Sequence, residues 1–92
     1  MTEMEFTEEN VKALPVKEGV YILLDEDKET VAIKGAVNLQ ESLAEQLENA
    51  KVKYFQYETD PMYTKKESEL IQQYLQKHGK LPDSGDDLDD LF

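Results

Sequence analysis

Two short apolar runs, Gly19-Val20-Tyr21-Ile22-Leu23-Leu24 and Val31-Ala32-Ile33-Lys34-Gly35, flank a charged stretch from Asp25 to Glu29 that has nothing to bury. Several positions in both runs are β-branched, and the pattern predicts two strands joined by a tight polar turn. In the first strand Tyr21 and Leu23 alternate with Val20, Ile22 and Leu24, so both faces are apolar. Such a strand is usually central in its sheet and covered on both sides.

After the hairpin the apolar spacing changes from alternation to a helical period. Leu39, Leu43 and Leu47 fall at i, i+4 and i+8, with Gln40, Glu41, Glu45, Gln46 and Glu48 on the other side. Asn38 is the expected N-cap, and Glu41 three residues on makes a capping-box-like pair. Val52-Lys53-Tyr54-Phe55-Gln56-Tyr57 reads as a third strand, rich in aromatic residues. Asp60 before Pro61 is turn chemistry. A further helix carries Leu70, Ile71, Tyr74 and Leu75 on one face; Thr64-Lys65-Lys66-Glu67 reads as its capping box and Gly79 as its end. Ahead of the hairpin, Thr7 is a plausible N-cap for a short helix with Glu8 and Glu9 in its first turn, stopped by Pro15. Residues 1–5 are expected to fray.

The order helix, strand, strand, helix, strand, helix predicts an α+β domain over residues 1–79, a three-stranded, mostly antiparallel sheet with helices packed on it. From Lys80 to Phe92 the composition is that of a disordered acidic tail. Ninety-two residues make one domain, near the lower end of what buries a self-sufficient core. No stretch approaches the roughly 18–20 apolar residues of a membrane span, and no basic start leads into an apolar signal segment. Cysteine is absent, which removes disulfides, thiolate metal sites and cysteine nucleophiles. Together these features lead to the expectation of a cytoplasmic protein.

Charge changes the picture most. Twenty-one acidic residues against ten basic ones give −11, and every base is lysine. Phosphate binding draws on lysine and arginine, so a chain this acidic is repelled from nucleic acid at long range. Lys51, Lys53, Lys65 and Lys66, with Tyr54, Phe55, Tyr57 and Tyr63 as stacking partners, are the one candidate nucleic-acid surface, and the charge weighs against it. Asp83, Asp86, Asp87, Asp89 and Asp90 concentrate part of the excess at the end, yet the remaining sixteen acids still outnumber the bases.

Leu14-Pro15, then Gly19-Val20-Tyr21, a turn, and Ala36-Val37-Asn38-Leu39 resemble the opening of the GIY-YIG nuclease domain, in the flavour found in the excision-repair incision subunit. The resemblance implies a β-β-α-β-α core. In that family a tyrosine on each signature strand, an arginine on the first helix and a metal-holding glutamate on the second surround the scissile phosphate. Carried over position by position, Tyr21 matches the first tyrosine and Glu67 the glutamate. The second tyrosine falls on Ala32 and the arginine on Ser42. No other residue in the chain has arginine's planar fork of donors, and losing one transition-state charge stabiliser commonly costs ~10²–10³ in rate. Tyr21 and Glu67 would then be vestiges, with core packing for the tyrosine and helix capping for the glutamate as the simpler explanations. His78, the one histidine, stands near a helix C-terminus, where a cationic ring is favourable.

The tail, with Asp86, Asp87, Asp89 and Asp90 leading to Leu91 and Phe92, resembles the acidic tip of bacterial single-stranded DNA-binding proteins and, less closely, the sliding-clamp motif. Aspartates would steer it toward a basic rim and the terminal Leu-Phe would be the buried anchor. The reading is therefore a catalytically inactive GIY-YIG-like domain that needs no cofactor. It would bind a protein partner with a basic, apolar pocket, with a link to DNA repair or replication through its tail. Two alternatives are a divergent endonuclease using Mg²⁺ at Glu67 and an acidic decoy for a partner's DNA-binding groove.

Overall fold

The computed structural model describes residues 2–79, so the tail lies outside the described residues. The described residues form an α+β fold with one antiparallel sheet of four strands, not three. In chain order the elements are β1 (Thr2–Glu5), α1 (Glu8–Lys12), β2 (Gly19–Leu24), β3 (Thr30–Ala36), α2 (Leu39–Glu45), a 3₁₀ turn (Gln46–Glu48), β4 (Tyr54–Thr59) and α3 (Tyr63–His78). The strands lie in the order β1-β4-β2-β3. No helix among the described residues is long and apolar enough to cross a membrane.

The added strand is the N-terminal segment that was expected to fray. Met4 stands opposite Phe55 in the β1–β4 ladder and packs against the core. Phe6 then meets Phe55 edge-on, ring centroids 5.6 Å apart, and its amide donates to the Lys53 carbonyl at 2.9 Å. Two longer ties help: Asn10 Nδ2 donates to the Glu5 carbonyl, and Lys28 Nζ pairs with Glu3 at 3.0 Å.

β2 is central, as its two apolar faces require, with β4 on one side and β3 on the other. Tyr21 and Leu23 on one face and Val20 and Leu24 on the other are all buried. The β2–β3 turn is built on Asp25, whose Oδ1 accepts the amides of Asp27 and Glu29. A register shift near Leu24 lets both Val31 and Ala32 join the core. On the Tyr21 face, α1 and α2 complete that core with Val11, Leu14, Leu39 and Leu43. Leu47 packs against it, partly buried.

Gly35 pairs with Val20 and so points to the opposite face, where α3 crosses β3 and β2. A Cβ on Gly35 would sit 2.9 Å from Tyr63 Cδ2, so the glycine lets this helix approach the strand. α3 opens differently from the expected capping box. Met62 holds the cap position, the Met62 amide donates to Asp60 Oδ1 at 2.8 Å, and Thr64 lies inside the helix. Its end is as expected: Gly79 is left-handed at φ 74° and donates to the Leu75 carbonyl. The third predicted strand runs two residues later than expected, because Val52 and Lys53 serve the approach, Lys53 donating its amide to the Leu24 carbonyl.

Candidate functional site

Where the Tyr21 face of the sheet meets α2, an open cleft is lined by Ser42, one of the positions singled out above. Asn38 starts the helix: its Oδ1 accepts the Glu41 amide at 3.1 Å. The Leu39 amide donates to the Lys17 carbonyl, and Gln40 Nε2 donates to the carbonyls of Lys12 and Leu14. These ties fix the rotation of α2, so Leu39 and Leu43 are fully buried against the sheet. Ser42, three residues after Leu39, is carried on the same side.

From there Ser42 Oγ lies 3.0 Å from the Tyr21 hydroxyl, either oxygen being able to donate. Tyr21 is only 1% exposed. Burial pushes its hydroxyl pKa above the usual 10.0; the Ser42 hydrogen bond works against this, and the carboxylates of Glu45 and Glu67 add to it. In front of Ser42 is an open cavity of about 250 Å³, lined by Ala36, Val37, Asn38, Glu41, Ser42 and Glu45.

Glu67 has a structural partner. Its Oε2 accepts the Gly35 amide at 2.6 Å, across from α3 to the end of β3. It is therefore not the reciprocal member of a capping box, as its spacing from Thr64 suggested. The carboxylate satisfies a strand amide that β2 leaves unused.

Ala32 is 2% exposed beside Leu23, part of the packed core. A tyrosine there would displace neighbours rather than line a cleft. Among the described residues no three His, Cys, Asp or Glu side chains are grouped to hold a metal ion. The four lysines of the candidate nucleic-acid surface are not brought together. Lys51 and Lys53 precede β4 and Lys65 and Lys66 follow it, about 20 Å of strand away. Lys66 is paired with Glu58, and Phe55, offered as a stacking partner, is fully buried. His78 stacks on Tyr74, ring centroids 4.2 Å apart, away from the cleft. Asp86, Asp87, Asp89, Asp90, Leu91 and Phe92 lie outside the described residues.

The Tyr21–Ser42 bond carried no signal of its own in the sequence, because the two residues are joined only through the docking of α2 on β2. Fold and cleft together define a small α+β domain with a tyrosine–serine pair under an acidic opening. Residues 3–77 match the model of a domain of unknown function, DUF7508, and the chain belongs to that family. No curated protein matches it.

Proposed function

We propose that this domain is a GIY-YIG-like module without nuclease activity, used to bind protein. The observation that carries the reading is the Tyr21–Ser42 hydrogen bond. The one retained tyrosine is buried and held by the side chain that stands in the arginine position, so it cannot orient or deprotonate a water molecule in the opening. Glu67, the other retained position, is engaged by the Gly35 amide. The acid excess of the chain supports the same conclusion, since it opposes approach to a polyanion.

In this reading the contact with the partner is made by the tail, the aspartates from Asp86 to Asp90 meeting a basic rim and Leu91 and Phe92 filling an apolar pocket. A protein of the DNA repair or replication machinery is the proposed partner class. Incubation with plasmid and branched DNA in Mg²⁺ or Mn²⁺ should leave the DNA intact. Cleavage that disappears in Glu67→Ala would establish the divergent endonuclease instead.

A further inference from the structure

The longest helix of the fold is also its least covered. None of the 16 residues of α3 is buried. Leu70, Ile71 and Tyr74 are half-buried, and Leu75 is exposed. Two contacts fix how the helix is turned. Lys66 pairs with Glu58 on β4, while Glu67 reaches the Gly35 amide on β3. That amide points away from β2, because it bonds to Glu67 instead of joining the ladder, and among the described residues β3 has no further strand on that side. The Glu67 flank of α3 therefore meets the outer edge of β3 at Gly35. Ile71 and Leu75 follow one and two turns later on the same flank.

At the same end, just past Gly35 and Ala36, β3 leads into Val37, 69% exposed, and the cavity rimmed by Glu41 and Glu45. The edge carries one exposed cation, Lys34, and is bordered by apolar Val37, Ile71 and Leu75 and by the carboxylates of Glu41, Glu45 and Glu67, which outnumber it. None of those carboxylates is paired with a lysine among the described residues. A second copy of a chain with charge −11 is a poor occupant, since like charges would meet across the contact. The surface fits an opposite charge on an apolar stem.

We propose that the outer edge of β3, between α2 and α3, binds an extended segment of a partner protein in which lysine or arginine alternates with apolar residues. Alternation sends successive side chains to opposite sides of such a segment, which matches carboxylates and apolar groups distributed on both sides of one edge. This contact is on the folded body and is separate from the one proposed for the tail.

The test is an NMR titration of the ¹⁵N-labelled full chain with a seven-residue peptide alternating lysine and valine, and with its glutamate–valine counterpart. The amides of Gly35, Val37, Glu45, Glu67 and Ile71 should shift saturably with the first peptide only. The double variant Glu41→Lys/Glu45→Lys should weaken binding by about tenfold, and Leu75→Ser on the other helix should weaken it as well. All three positions are exposed, so the fold should survive, which the unchanged dispersion of the spectrum would verify. Affinity unaffected in both variants would overturn the proposal, as would a dimer in sedimentation that the variants dissociate. Shifts confined to residues 80–92 would also overturn it, while leaving the tail reading in place.

Discussion

Tyr21 and Ser42 stand 21 residues apart and share one hydrogen bond, but they do not depend on it equally. The tyrosine hydroxyl is buried, whereas Ser42 borders the open cavity and can reach water. Ser42→Ala strands a buried donor and should cost ~1–3 kcal/mol, while Tyr21→Phe removes both the group and its need, at ~0.5–1.5 kcal/mol. Chemical denaturation of the two variants checks the order; a larger loss for Tyr21→Phe would mean that the bond is not what holds the serine in place. The same burial gives a pH dependence. The folded-state pKa of Tyr21 is raised above 10.0, so its contribution is complete below that pH and is lost as pH rises through the folded value. An ultraviolet titration should show one of the five tyrosines ionising late, together with alkaline loss of stability.

At the scale of elements, Leu43 is the residue on which the seating of α2 rests. It is fully buried, and Leu43→Ala should cost ~2–5 kcal/mol in urea denaturation. Glu67→Ala tests the tie between α3 and β3: amide exchange at Gly35 should accelerate, and stability should fall by ~1–3 kcal/mol for an amide left without its acceptor. The hairpin, α2 and the end of α3 could be read from the chain because their cues are local: alternation in Gly19–Leu24, the Asn38 cap, the left-handed Gly79. β1 could not. Thr2–Glu5 has one large apolar residue between two glutamates, and it becomes a strand only because Met4 and Phe6 find Phe55, some fifty residues later in the chain. The start of α3 misled for a related reason. Thr64 and Glu67 have capping-box spacing, but Asp60 turns the chain earlier and Gly35 competes for the glutamate. The resemblance marked Tyr21, Ser42 and Glu67 one by one; that the first two would bond to each other at the cleft depended on packing.

For the whole molecule the charge sets the terms of association. If the tail docks as proposed, affinity should be modest and should fall steeply with salt, because unscreened aspartates do the steering. Phe92→Ala should abolish the interaction and Asp86→Glu should change it little, measured by calorimetry against the captured partner. A partner that binds equally well to a chain ending at Leu81 would remove the tail from the mechanism and leave it a solubilising end.

β4 lies between β1, which precedes the other described elements in the chain, and β2. The ladder that joins Thr2 to Tyr57 cannot form until the polypeptide has emerged from the ribosome past that tyrosine. Until then the hairpin of β2 and β3 can form by local closure, but it presents a bare edge and an apolar face that α1 and α2 cover only in part. The nascent protein therefore passes through a stage in which its central strand is open to pairing with another chain. A single late segment, Tyr54–Thr59, closes that window by bonding on both sides at once.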